Sequence, residues 1–209
     1  MDEGVVSPVV AALVSTLIAG SLGFSLSTFF VDAHVEVAGI EGGYSDHPDD
    51  LGGATNYGIT EGVARRSGYK GSMKDLPVEM ALEIAFEQYW DPLELDHIAE
   101  AQDSSYYDVA FRLYDVSFNM GVGTAGRFLQ RCLNVLNNQG KYYRDVYIDG
   151  KVGNRTLKAF DQFQKRRGKE GSHSLLVCIR GLQSARYIAI SESRSANESF
   201  TYGWLKRID

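Results

Sequence analysis

The chain has 209 residues, 44% of them hydrophobic and 23% charged, which is enough for one domain, or one domain and a small module, with a real core. Its net charge of -6 argues against a duplex nucleic-acid binder, since such proteins usually carry a basic face, and we expect no nucleic-acid partner. Two cysteines, Cys132 and Cys178, are too few for a disulfide scaffold.

The chain begins with a long uncharged run. No charged residue occurs between Val5 and Val31, and fourteen of those positions are Val, Leu, Ile or Phe. This run is long enough to cross a bilayer, and it fits a cleaved signal peptide poorly because the start, residues 1–3, carries no positive charge. We therefore predict a membrane-spanning segment over residues 1–31, whose small and polar residues lower the cost of leaving the bilayer. A permanent anchor and a buried core helix are the alternatives.

A short helix and a glycine-rich stretch follow the apolar run. The helix is predicted because residues three or four positions apart share one helical face. These residues are Phe30, His34, Val37, Ala38 and Glu41. It should end at the glycine pair directly after Glu41. From Tyr44 to Thr60, glycines and Pro48 interrupt any helix, and alternation over residues 55–59 predicts a small β-hairpin.

The rest of the chain is predicted to be helical, so the expected fold class is mainly α (α+β). The apolar spacing gives helices over residues 78–89, 107–120, 124–137, 149–166 and 174–191, followed by an aromatic tail over 200–204. Cys132 and Cys178 both fall in apolar helical patterns, which favours buried free thiols. A disulfide between helices is the alternative if the protein lies outside the cytoplasm.

Elimination leaves carboxylate chemistry as the best candidate for a reaction. The four histidines are scattered, without paired cysteines, so a zinc site is not expected, and neither a G-x-S-x-G elbow nor a P-loop motif occurs. Glycosidic cleavage needs one protonated acid and a second group that activates water or steadies positive charge. Glu41, beside the apolar Ile40, could keep its proton near neutral pH, and Asp50 with Thr55 could hold a water. The competing interpretation is a plain surface loop.

The stretch over residues 41–60, EGGYSDHPDDLGGATNYGIT, resembles the signature of glycoside hydrolase family 108, the N-acetylmuramidases. It matches the family's E-G-G-Y, D-x-G-G-x-T and Y-G-I-T blocks. Shorter matches follow at Tyr89–Trp90, Asp115, Asn119, Gly121, Leu129–Gln130, Gly203–Leu205 and Arg207. Residues 149–157 are similar to the D-G-x-x-G-x-x-T-L element of a peptidoglycan-binding segment. Together with the apolar N-terminal run, the chain resembles phage endolysins of the signal-arrest-release type.

This resemblance implies an organisation and an activity. It implies a lysozyme-like helical domain over residues 32–140, with the β-hairpin next to the active site, and a helical, peptidoglycan-binding-like part over 141–209 packed on it. The implied reaction is hydrolysis of the β-1,4 bond between N-acetylmuramic acid and N-acetylglucosamine in peptidoglycan, for host cell lysis, without a cofactor. The implied partners are glycan strands and, before release to the periplasm, the bacterial inner membrane through residues 5–31. We expect a monomer.

The resemblance also implies roles for individual residues. Glu41 takes the position of the general acid. Asp50 and Thr55 occupy positions like those of the catalytic pair in lysozymes of the T-even phage type, although Asp46 or Asp49 could substitute for Asp50. Leu51 stands where family members often carry proline. Substrate contacts are expected from Tyr44, Tyr57, Trp90 and Asn119; the three aromatic residues would look the same as ordinary core residues.

Two alternatives differ in chemistry. A lytic transglycosylase cuts the same bond with one glutamate and no water, and it leaves an anhydro sugar; Asp50 and Thr55 favour the hydrolase. A membrane-anchored peptidoglycan-binding protein without activity would depend on residues 149–157 alone, and the intact Glu41 argues against it.

Overall fold

A computed structural model describes residues 26–37, 44–45, 53–101 and 103–208. These residues are mainly helical, with one two-stranded sheet, as the sequence predicts. The chain divides between Asp91 and Pro92 into two compact units. The predicted boundary near residue 140 stays a prediction.

The first unit contains helix α1 (Thr28–Val37), strands β1 (Thr55–Asn56) and β2 (Ile59–Thr60), and helices α2 (Glu61–Arg66) and α3 (Val78–Ala85). A 3-10 turn covers Met73–Asp75, and a π-helical turn, Phe86–Trp90, continues α3. The core holds the Phe30 ring edge-on to Phe86, with 5.2 Å between the ring centroids. Phe30, His34 and Val37 are all buried, as the predicted helical face requires. Ala38 and Glu41 lie outside the described residues.

The two strands are antiparallel, with Thr55 opposite Thr60 and Asn56 opposite Ile59. Tyr57 and Gly58 both have positive φ, at 50° and 74°, which is the backbone of the tight turn that connects short hairpin strands. The predicted hairpin is therefore confirmed, although Tyr57 belongs to the turn and not to a strand.

The second unit contains helices α4 (Leu95–Ala99), α5 (Tyr106–Met120), α6 (Val122–Leu136), α7 (Asn154–Ser193) and α8 (Glu198–Lys206). Helix α5 packs against α4, α6 and α7, so it lies at the centre of this unit. Helix α7 has one non-helical residue, Gly168, at φ 52° and ψ -142°. A 3-10 turn, Ser195–Asn197, precedes α8.

A disulfide joins α6 to α7 through Cys132 and Cys178, whose Cα atoms lie 5.9 Å apart. The preferred interpretation of these cysteines as buried free thiols is therefore wrong, and the alternative, a bond between helices, is correct.

The predicted membrane localisation needs correction. Most of the predicted span, residues 5–31, lies outside the described residues. Its described end does not stop at Val31, because α1 runs from Thr28 past the charged residue Asp32 to Val37. Phe30 and Val31 are buried in the protein's own core. Within the part of the chain that the structure describes, no helix is long and apolar enough to cross a membrane. The prediction of a single-pass inner-membrane protein released to the periplasm is therefore wrong.

Candidate active site

Thr55 lies where the glycine-rich stretch returns to the β-hairpin. Its backbone pairs with that of Ser45: the Ser45 N–H donates to the Thr55 carbonyl at 2.8 Å, and the Thr55 N–H donates to the Ser45 carbonyl at 2.7 Å. The half-buried Thr55 hydroxyl donates a long hydrogen bond of 3.4 Å to the Gly53 carbonyl. This pairing fixes the two ends of the segment between Ser45 and Thr55.

The hairpin is anchored on its other side by a buried amide. The Asn56 side chain is 4% exposed and donates to the Met73 carbonyl at 2.7 Å. Lys74, in the same 3-10 turn, places its Nζ 5.0 Å from the centre of the Tyr44 ring, a cation–π contact. Tyr44 is 38% exposed, so part of its ring is open to solvent. Tyr57, at the hairpin turn, is half-buried.

The two predicted catalytic carboxylates, Glu41 and Asp50, lie outside the described residues, as do Asp46 and Asp49. Their roles stay predictions. The structure describes Tyr44 and Ser45, which follow Glu41 in the sequence, and the hairpin with Thr55, which follows Asp50.

Trp90 is completely buried. Its ring packs against Phe30, with 5.6 Å between centroids and 69° between the ring planes. A ring without exposed surface has no face on which a sugar can stack, so this burial is at odds with the predicted stacking role of Trp90. The proposed site therefore does not include Trp90.

Asn119, in the last turn of α5, belongs to a polar cluster around Asp115. Its Nδ2 donates to the Asp115 backbone carbonyl at 2.8 Å and to Asp115 Oδ1 at 3.0 Å. Its Oδ1 accepts a hydrogen bond of 3.0 Å from a guanidinium nitrogen of Arg207, which follows α8. Asn119 is exposed, whereas Asp115 is only 2% exposed.

Three further side chains stabilise the Asp115 carboxylate. Arg112, itself buried, approaches Oδ2 at 3.3 Å, and Arg207 Nε approaches Oδ1 at 3.4 Å. Gln183 of α7, which has no exposed surface, donates to Oδ2 at 2.7 Å. Burial, and after it the Asp115 charge, raises the pKa of the neighbouring Tyr187. The cluster thus links residues of α5 and α7 with the C-terminal end of the chain.

A second polar site surrounds the D-G-x-x-G-x-x-T-L element. Buried Gln130 of α6 donates to Asp149 Oδ1 at 2.9 Å, and its own Oε1 accepts from the Gly150 N–H at 2.8 Å. Asp149 Oδ1 also accepts from the Lys151 N–H at 2.8 Å. The hydrogen bond from Gln130, and after it the one from Lys151, lowers the pKa of the exposed Asp149. The element borders a groove of about 360 Å³, beside which the Tyr147 ring is 81% exposed.

The sequence indicates Asp115 and Arg207 only through the family resemblance, and it does not indicate Arg112 or Gln183 as site residues. A signal was present for Arg112 and Asp115, since two opposite charges three residues apart interrupt an otherwise apolar helical face. No local signal marks Gln183, because its partner is 68 residues away.

Comparison with known families divides the chain into two matched segments. Residues 35–121 match the family described as Glycosyl hydrolase 108, and residues 124–209 match one described as Predicted Peptidoglycan domain. Among solved structures, "Structure of Brucella abortus SagA" is 26% identical, with a TM-score of 0.59 over 86% of this chain and 88% of that chain. No curated protein is significantly similar to the chain.

The matches agree with the family resemblance of the glycine-rich stretch and of residues 149–157. They also agree with peptidoglycan as a partner. Residues 35–121 therefore match the glycosyl hydrolase 108 family, and this match together with the adjoining peptidoglycan domain indicates a glycoside hydrolase that acts on peptidoglycan.

Proposed function

We propose that this protein is an N-acetylmuramidase that hydrolyses the β-1,4 bond between N-acetylmuramic acid and N-acetylglucosamine, with Glu41 as the general acid. The observation that carries the proposal is the family 108 match over residues 35–121, which contains the whole glycine-rich stretch with Glu41, Asp50 and Thr55. The adjoining peptidoglycan domain supports murein as the substrate.

Chain connectivity supports a joint role for Glu41 and the hairpin. Ser45 is the fourth residue after Glu41, and four Cα–Cα steps of fully extended chain span about 14 Å at most. Because Ser45 pairs with Thr55, this short connection supports a joint role for the acid and the hairpin. A glutamic acid there protonates the leaving oxygen of the glycosidic bond.

Asp50 and Thr55 supply the second half of the reaction. Asp50 accepts a proton from water, and the Thr55 hydroxyl orients that water for attack on the sugar. Thr55 suits this role because backbone bonds to Ser45 and strand pairing with Thr60 fix its position, and a fixed position is what a catalytic water requires.

The decisive experiment digests purified murein with the native protein and with Glu41→Gln, followed by mass and reducing-end analysis. Glutamine keeps the size of glutamate but has no proton of suitable acidity to donate, so activity should fall by about two to four orders of magnitude. The matched control is Glu36→Gln, an exposed position of α1, which should retain native activity.

The products separate hydrolysis from the alternatives. Fragments with a free reducing end support the muramidase, whereas fragments lighter by one water identify a lytic transglycosylase. Retention of more than about a tenth of the activity by Glu41→Gln would overturn the role of Glu41. Absence of any soluble fragment would leave only a binding protein.

We also propose that the enzyme serves as a phage endolysin. The support is the resemblance of the chain to that class, together with an activity on murein. Purified protein should clear a suspension of permeabilised Gram-negative cells, and Glu41→Gln should not. Release of murein fragments without a loss of turbidity would speak for wall remodelling instead of lysis.

A further inference from the structure

The Asn119 carboxamide is held in a defined orientation. Both of its N–H groups point to Asp115, one to the backbone carbonyl and one to Oδ1, at 2.8 and 3.0 Å. Its oxygen accepts from Arg207 at 3.0 Å. A carboxamide oxygen has two lone pairs, so Asn119 keeps one acceptor position at an exposed site. It is therefore arranged to accept a hydrogen bond from a ligand and not to donate one.

Arg207, which completes this arrangement, is 88 residues away in the sequence. Its side chain contacts both Asn119 and Asp115, and its backbone carbonyl accepts from Arg112 at 3.1 Å. The residue is thus fixed to α5 by both its backbone and its side chain.

Arg207 contacts Asn119 in addition to the Asp115 carboxylate. Arg112 already pairs with the Asp115 carboxylate, and both of these residues are almost completely buried. The Arg207 side chain is 40% exposed. Its bond to the Asn119 oxygen fixes the direction of that acceptor.

We propose that Arg207 is a positioning residue of a glycan-binding surface on the second unit: it holds the Asn119 carboxamide so that its oxygen accepts from an amide N–H or a hydroxyl of an N-acetylated aminosugar. This inference rests on the proposed function and deepens it. The C-terminal segment then takes part in glycan recognition through a residue that it places on α5.

The test measures binding of the full-length Glu41→Gln protein to purified, uncleaved murein by sedimentation. In that background Arg207→Met should bind about five- to tenfold more weakly, the effect of one lost hydrogen bond. Asn119→Ala should weaken binding by a similar factor. Because Arg207 acts through Asn119, the double variant should bind no more weakly than Asn119→Ala alone. A purely structural role would give additive losses.

Two further variants control for charge and folding. Lys206→Met removes a positive charge from an exposed neighbouring position and should bind as the parent does. Arg207→Lys keeps the charge but cannot reach both Asn119 and Asp115 as a guanidinium does, so binding should fall about two- to threefold even if Arg207→Met fails to fold. Melting temperatures identify any variant that does not fold.

The proposal is overturned if Arg207→Met and Arg207→Lys bind like Lys206→Met, if the losses of Arg207→Met and Asn119→Ala add, or if the parent does not bind murein. The role of Glu41 is judged separately, from soluble fragments released by the parent. Fragment release with a normal Arg207 effect refutes Glu41 as the acid and supports Arg207.

Discussion

At the scale of the residue, the buried His34 of α1 makes the stability of the fold depend on pH. It lies on the core face of this helix, 3% exposed, with 5.5 Å between its ring centroid and that of Phe30. Burial disfavours the charged imidazolium and lowers the pKa of His34 from 6.5 to about 4. The folded protein therefore keeps this histidine neutral at pH values where the unfolded chain protonates it.

The sign of the pH effect follows from these two values. Above pH 6.5 His34 is neutral in both states, so its burial carries no protonation cost. As the pH falls from 6.5 to 4, the unfolded chain gains a proton that the folded state excludes, and stability falls by about 3 kcal/mol. Urea unfolding at pH 7 and pH 4 measures this loss.

A variant pair isolates the contribution of His34. His34→Gln should show a smaller loss of stability between pH 7 and pH 4 than the native protein, even if it is less stable at pH 7. The same replacement at the exposed His173 of α7 is the control and should leave the native pH dependence unchanged. If His34→Gln loses as much stability on acidification as the native protein, the assigned pKa is wrong.

A second prediction at this scale separates Asp50 from the neighbouring carboxylates. If Asp50 holds the attacking water, Asp50→Asn should lose far more murein-digesting activity than Asp46→Asn or Asp49→Asn, by about one hundredfold or more. All three variants change the loop charge equally, so each serves as a control for the others. Equal losses in the three would attribute the effect to loop charge and not to one carboxylate.

Side-chain burial shows where sequence reasoning reaches its limit. The spacing of Phe30, His34 and Val37 was sufficient to predict their buried face, because it depends on local helix geometry alone. Trp90 could not be assigned in this way, since an aromatic residue for a sugar and one for a core look alike until their neighbours are known. The partners of Asn119 and Asp115 depend on contacts across 88 and 68 residues.

At the scale of the element, glycine decides how closely α6 and the 149–153 loop approach. A Cβ added at Gly126 of α6 would lie 2.2 Å from the Gly150 carbonyl oxygen, and Gly150 itself has φ +81°. The loop backbone therefore rests directly on the helix, where Gln130 also binds it. This contact supports the groove beside Tyr147.

A matched pair of glycine variants tests this contact. Gly126→Ala should destabilise the protein by about 1–3 kcal/mol, because the backbone of the loop must move away from α6. Gly181→Ala on α7 has open space around the new methyl group and should be neutral or stabilising by up to about 1 kcal/mol. Thermal unfolding of both variants provides the comparison. If the two variants are equally stable, the 149–153 loop moves away from α6 without a loss in the free energy of unfolding.

The helices were predicted well where they are long. The structure gives Tyr106–Met120 and Val122–Leu136 where the sequence predicts 107–120 and 124–137, since periodic apolar faces of four turns leave little ambiguity. The two predicted helices over 149–166 and 174–191 correspond to the two parts of Asn154–Ser193, which are separated by a kink at the non-helical Gly168. The short helices Glu61–Arg66 and Leu95–Ala99 escaped prediction, as one or two turns are too few to show a period.

At the scale of the whole molecule, the disulfide is the main covalent constraint among the described residues. It closes a loop between residues 46 positions apart, which in a chain-entropy estimate stabilises the folded state by about 4 kcal/mol. Disulfides of this kind are typical of proteins that fold in oxidising environments. The sequence alone left the choice open, because two cysteines in apolar helical patterns fit either state.

Removal of this bond should lower stability measurably. The double variant Cys132→Ala, Cys178→Ala should unfold at a lower temperature than the native protein, by an amount corresponding to about 2–4 kcal/mol. A thiol reductant should lower the melting temperature of the native protein and leave that of the double variant unchanged. If the reductant leaves the melting temperature of the native protein unchanged, the bond does not stabilise the fold.

An exposed turn between α6 and the 149–153 loop lies within the segment that the disulfide closes. Residues 138–141 are exposed, and Asn138, Gln139 and Gly140 all have positive φ, so a protease has an accessible turn there. Such a cut lies between Cys132 and Cys178, so it would produce two polypeptides that stay linked as one molecule. A nicked protein should migrate as a single band without reductant and as two with it. The second unit would then survive proteolysis of its own backbone for as long as the surroundings remain oxidising.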